Sequence, residues 1–94
     1  MTRLTFEWDP AKSRTNLAKH GVRFEEALTV FYDENARLLS DPDHSDDEER
    51  FLLLGLSSSP RILVVCHCVR DERRVIRLIS ARKATRNERG QYGG

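Results

Sequence analysis

Three apolar segments, residues 50–57, 61–69 and 74–80, follow one another in the second half of the chain with only Ser58-Ser59-Pro60 and Arg70-Asp71-Glu72-Arg73 between them. Their Val, Ile, Leu and Phe side chains suit a pleated, half-buried surface. Connections this short make hairpins and leave no room for a crossover helix, so the spacing predicts three neighbouring antiparallel strands. Upstream, Thr5-Phe6-Glu7-Trp8 alternates and reads as a short first strand. Arg37 to Ser40 reads as a short extended segment, and the acidic stretch from Asp41 to Glu49, interrupted by Pro42, as a loop.

Helix signals fill the space between. Asp9-Pro10 supplies a capping carboxylate and then a residue with a pre-set φ and no N–H to leave unpaired. A helix from there runs to about His20, where a cation near the C-terminus suits the helix dipole and Gly21 provides a left-handed stop. Phe24, Ala27, Leu28 and Phe31 recur at helical spacing and form one apolar stripe, with Glu25 and Glu26 in the favourable first turn. Thr85 and Glu88 have capping-box spacing, which predicts a last, short, polar helix. The order β-α-α-β-β-β-β-α predicts a single α+β domain over residues 1–94. Its expected core is a four- to five-stranded antiparallel sheet, with two N-terminal helices packed on one face, a short C-terminal helix, and the opposite face partly open.

Composition excludes some classes. No apolar run approaches the roughly 18 residues a membrane-spanning helix needs. Met1-Thr2-Arg3-Leu4-Thr5 has no apolar leader core, so the expected address is cytoplasmic. The two cysteines, Cys66 and Cys68, lie on one face of an extended strand and His67 on the other; in a reducing compartment they read as packed thiols. The net charge of +1 conceals a segregation: residues 24–51 hold ten acidic and two basic side chains, whereas residues 70–94 hold eight basic and three acidic. A near-neutral total gives little long-range attraction for a polyanion, but a basic surface built from the two ends would hold phosphates locally.

An imidazole and a guanidinium, His67 and Arg77, interrupt otherwise apolar strands, and Arg82-Lys83 stand just beyond the last one. Simple alternation puts Leu63, Val65, His67 and Val69 on one face, and allows His67 and Arg77 to meet if their strands pair. Unpartnered burial of either would be costly, so they either form a structural network or line the open face. As a site, the set suits metal-free RNA cleavage. The substrate's 2′-hydroxyl is the nucleophile, a histidine moves protons, and Arg and Lys bind the charged oxygens of the transition state. Glu49 is a candidate second base, and Lys12, His20 and Arg86 are candidate substrate-binding residues. No cofactor is required. A zinc site from His44, Cys66, His67 and Cys68 has poor spacing. A metal held by Asp41, Asp43, Asp46 and Asp47 would need convergence that an acidic loop does not promise.

Several strings, taken in order, resemble the BrnT toxins. Phe6-Glu7-Trp8-Asp9, Lys12, Asn16, Lys19-His20-Gly21-Val22 and Phe24-Glu25-Glu26-Ala27 match the family's opening. Asp41-Pro42-Asp43-His44-Ser45 and Glu49-Arg50 match the middle. Ile79-Ser80-Ala81-Arg82-Lys83-Ala84, Glu88-Arg89 and Tyr92 match the end. The resemblance implies a RelE-like fold and the toxin half of a type II toxin–antitoxin module. It implies an endoribonuclease that arrests growth, neutralised by a BrnA antitoxin with a ribbon-helix-helix part. Operator DNA would be contacted only through that antitoxin, and no membrane is involved. Carried onto this chain, it points to His67, Arg77, Arg82 and Lys83, with Lys12, His20 and Glu49 beside them. A non-catalytic co-repressor acting only in complex with its antitoxin is the competing expectation. Arg23 stands where the family often has a capping Ser, which predicts a weaker start for the second helix.

Overall fold

The computed structural model describes residues 4–39, 50–70, 72 and 74–92. Strand β1 (Thr5–Glu7) leads into helix α1 (Pro10–His20), then α2 (Phe24–Ala27), which tightens into a 3-10 segment, Leu28–Tyr32. Strands β2 (Arg37–Leu39), β3 (Phe51–Leu56), β4 (Ile62–Arg70) and β5 (Val75–Lys83) follow, and α3 (Arg86–Gln91) closes the described chain. Among the described residues no helix is long and apolar enough to cross a membrane.

Local chemistry sets the helix ends as expected. Asp9 Oδ1 accepts a hydrogen bond from Ala11 N at 2.8 Å, Pro10 occupies the first helical position, and Gly21 adopts φ 70° while its N–H reaches Leu17 O. Arg23 gives α2 no side-chain cap, and the α-helix yields to the tighter 3-10 form after four residues. The stripe of Phe24, Ala27, Leu28 and Phe31 still turns inward, because tertiary burial of apolar surface outweighs the missing cap.

The sheet has the order β1-β5-β4-β3-β2. Strands β3 to β5 form the antiparallel meander that the short connections predict, and β2 extends it by pairing antiparallel with β3. Strand β1 departs from the expected antiparallel arrangement: it pairs with β5 in parallel, Thr5 to Val75 and Glu7 to Arg77. No turn joins β1 to β5, so side-chain docking decides the direction. Phe6, in register with Ile76, turns to the helix side and meets Phe31 edge-on, with ring centroids 5.3 Å apart. On that side Val22, Phe24, Val30, Leu63, Val65 and Leu78 form the main core. The 3-10 segment approaches closely at Gly55, where a Cβ would lie 2.7 Å from Val30 Cγ1.

A β-bulge in β5 changes which residues share a face. Cys66 pairs with Ser80 and His67 with Leu78, so Ile79 has no opposite number. Strict alternation would put Ser80 with Leu78; the extra residue instead puts Ser80 on the face of Arg77 and Arg82. Leu78 and Ala81 both reach the helix-side core as a result.

The bulge lies where β1 has ended and α1 takes over the β5 edge. Asn16 Nδ2 donates to Ala81 O and to Val22 O, both at 2.9 Å, and Asn16 Oδ1 accepts from Ala81 N at 3.0 Å. One buried amide thus does for Ala81 what a neighbouring strand would do, and it fastens α1 to the sheet.

Candidate functional site

Two basic regions follow from this topology. The first is the open face. Strand β5 presents Arg77 opposite Cys68 and Arg82 opposite Val64 there. Both guanidiniums have carboxylate partners. Arg77 Nη1 donates to Glu7 Oε2 at 2.6 Å, Arg70 approaches the same oxygen at 3.3 Å, and the Arg77 hydrogen bond is the main cause that lowers the Glu7 pKa. Arg82 grips Glu88 with both terminal nitrogens, at 2.7 and 2.9 Å.

The Arg82–Glu88 pair is one of several ties holding α3 on the open face. The capping box of Thr85 and Glu88 is complete, Tyr92 Oη donates to Asp33 Oδ2 at 2.7 Å, and Arg37 Nη1 donates to Gln91 O at 2.8 Å. Beneath α3, Leu54, Val64 and Ala84 form a second, smaller core. The Arg82 hydrogen bond, helped by the Thr85 N–H, holds the Glu88 pKa down to about 2 from its ordinary 4.5. A carboxylate with a depressed folded pKa stabilises the fold above its unfolded pKa and stops doing so as pH falls through the folded one. The amides of α3 are therefore expected to lose hydrogen-exchange protection between about pH 4.5 and pH 2, ahead of those in β4 and β5. An α3 that keeps its protection relative to the strands at the lower limit would contradict this.

The second basic region is a groove of about 360 Å³ between α1 and β5, lined along α1 by Ala11, Lys12, Thr15, Asn16, Lys19 and His20. Ile79 and Ser80, at the bulge, form its other side. No carboxylate among the described residues pairs with Lys12, Lys19 or His20. The groove therefore combines two ammonium groups that have no carboxylate partner among the described residues, an imidazole and the apolar side chains of Ala11 and Ile79. Ser80, which also faces Cys66, is where it meets the open face.

The sequence-derived set divides accordingly. Lys12 and His20 come together in the groove. Arg77 and Arg82 share the open face. Arg86 is exposed in the first turn of α3. Lys83, opposite Leu63, turns to the helix side; there its charge adds to the lowering of the Glu26 pKa, which is chiefly due to the Arg61 hydrogen bond.

The expectation that His67 and Arg77 meet on one face is corrected. The register puts Leu78, not Arg77, opposite His67. The imidazole is 4% exposed and faces the core, with its ring 4.7 Å from that of Phe31 and 5.8 Å from that of Phe51. Its Nδ1 lies 3.3 Å from Val65 O, and burial pushes its pKa below the ordinary value. Glu49, His44 and the rest of the acidic stretch that the sequence suggested as a loop lie outside the described residues. Cys66 and Cys68 lie on the face opposite His67 and are not joined in a disulfide, and among the described residues no three His, Cys, Asp or Glu side chains gather where they would hold a metal ion.

Sequence reasoning missed Lys19, Ser80 and Ile79 as groove residues. Lys12 and Lys19, seven positions apart, share a helix face, and this was a readable signal. The bulge that brings Ile79 and Ser80 to them had none.

Comparison with known proteins gives a consistent result. The family described as "Ribonuclease toxin, BrnT, of type II toxin-antitoxin system" matches residues 8–88. The crystal structure of the Brucella abortus ribonuclease toxin BrnT superposes with a TM-score of 0.68, covering 89% of this chain and 100% of that one at 22% sequence identity. At that identity the likeness speaks for the fold. Among curated proteins none matches the sequence.

Proposed function

The chain belongs to the BrnT family of ribonuclease toxins of type II toxin–antitoxin systems, and on that premise we propose that it cuts RNA without a metal ion at the α1–β5 groove and is silenced by a BrnA-type ribbon-helix-helix antitoxin. The observation that carries the reading is the lining of the groove, where the Lys12 and Lys19 ammonium groups have no carboxylate partner among the described residues and stand beside His20, close to the open face at Ser80. Cations without carboxylate partners in a concave site are ready to accept phosphate oxygens.

The reaction needs little from the protein. The ribose 2′-oxygen loses its proton and attacks the adjacent phosphorus, the bond to the 5′-oxygen breaks, and that oxygen takes up a proton. The products are a 2′,3′-cyclic phosphate and a 5′-hydroxyl. His20 is the groove's proton-exchanging side chain, and imidazoles commonly do this work near neutral pH. Lys12 lies within the same groove to bind the oxygens that gain charge. Arg77, Arg82 and Arg86 extend the basic surface beyond Ser80 for the flanking RNA. His67, deprived of solvent and neutral in the core, fits a packing role.

In this reading the antitoxin carries the DNA contacts, and the complex represses its own operon. Induction of the chain alone tests the ribonuclease against the co-repressor alternative. Growth arrest relieved by co-expression of a BrnA-type antitoxin is expected, whereas a chain harmless without its partner would favour the co-repressor.

A further inference from the structure

We infer that the α1–β5 groove is a pocket for a single unpaired nucleotide, with Lys19, Ile79 and Ser80 as recognition residues, so that the preferred substrate is single-stranded RNA; this rests on the ribonuclease reading above.

Four observations converge. The volume of about 360 Å³ falls at the lower end of the roughly 300–1,000 Å³ of small-ligand pockets, a size that suits one nucleotide. The lining is apolar at Ala11 on one side and Ile79 on the other, giving the flat face of a base something to pack on. Ile79 is there because the bulge leaves it without a partner on β4, and bulges commonly re-aim a side chain in this way. Lys12 and Lys19 are seven residues apart on α1, about 10 Å along the axis at about 1.5 Å per residue. The two lysines therefore belong to opposite ends of the groove's α1 side, within reach of the phosphates on either side of one nucleotide.

The remaining polar groups divide between holding the groove and reading its occupant. The Asn16 amide is committed to backbone groups through three hydrogen bonds, so it fixes the width of the groove and does not read a base. Among the described residues the hydroxyls of Ser80 and Thr15 make no such hydrogen bond to the backbone, and they can donate or accept at a base edge or a 2′-hydroxyl. In a duplex the bases are stacked inside the helix, so only an unpaired nucleotide can bring a base face to Ile79.

The test uses the full chain and a short unstructured oligoribonucleotide carrying 2′-O-methyl groups, which binds but cannot be cut, beside its duplex with the complementary strand. Affinity is measured across a salt series. Lys19→Glu is expected to weaken single-strand binding about tenfold or more and to flatten the salt dependence, by about 0.7 in slope for each lost phosphate contact. Lys19→Arg is expected to restore most of it. Ile79→Asp is expected to weaken single-strand binding comparably, with its melting temperature checked in parallel. Duplex binding is expected to be weak and insensitive to all three.

Single-strand affinity unchanged in Lys19→Glu would overturn the inference, as would a parallel loss of duplex binding, which would reduce the groove to general surface charge. The two readings fail separately. Wild-type protein that shows this binding pattern but never cuts an unmodified RNA keeps the pocket and loses the ribonuclease. Protein that cuts RNA with the same KM in Lys19→Glu as in wild type keeps the ribonuclease and loses the pocket.

Discussion

Replacing Asn16 by alanine is expected to lower the stability of the fold by about 3–4 kcal/mol, read as a shift of the urea midpoint at constant slope. The side chain is 5% exposed and makes three hydrogen bonds to backbone groups, two of them to the N–H and C=O of Ala81. These are edge groups of β5 at the point where β1 no longer covers them. Deleting one partner leaves buried donors and acceptors unmatched, at about 1–3 kcal/mol each, reduced where water can enter. Asn16→Asp is expected to be similarly damaging: the carboxylate still accepts from Ala81 N–H but cannot donate to the two carbonyls and places negative charge against them. For a domain of this length the total stability is about 5–10 kcal/mol, so either change removes a large part of it. A shift under about 1 kcal/mol would show that Asn16 does not fasten α1 to the sheet.

Replacing His20 by alanine is expected to reduce the rate of RNA cleavage by about 10²–10⁴-fold, the usual range for loss of a proton-transferring group, while the fold survives. His20 sits at the end of α1, beside Gly21, with its side chain along the groove and not in the core. The contrasting variant is His67→Phe. Its ring would rest against Phe31 and Phe51, where the imidazole already packs as an aromatic body, so both fold and cleavage are expected to persist. The kinetic measurement is kcat and KM on one RNA for both variants. A collapse of cleavage in a folded His67→Phe, with His20→Ala fully active, would return the proton-transfer role to the buried histidine.

Much of the fold was legible because its signals are local. Asp9-Pro10 and Gly21 mark α1, Thr85 and Glu88 mark α3, and three apolar segments with brief turns impose the meander. The rest depends on contacts between distant parts of the chain. No local pattern says that β1 joins β5, or that it does so in parallel. The interior position of Asn16 was unreadable for the same reason, since its partners include a residue far along the chain. The site suffered from one residue: the unpaired Ile79 shifts the alternation of β5, so the simple face assignment fails beyond Leu78. A histidine among β-branched neighbours looked chemical and is packed, whereas the histidine at a helix end looked like a dipole partner and lines the groove.

The central claim is that this member of the BrnT family cuts RNA at the α1–β5 groove using only its own side chains and the substrate's 2′-hydroxyl. Incubating purified, antitoxin-free protein with RNA in excess EDTA and identifying the new ends by mass spectrometry tests it most directly. The account predicts undiminished cleavage that leaves 2′,3′-cyclic phosphate and 5′-hydroxyl ends, and that falls steeply in His20→Ala. Cleavage abolished by chelator and restored by a divalent cation, or products bearing 5′-phosphates, would contradict it.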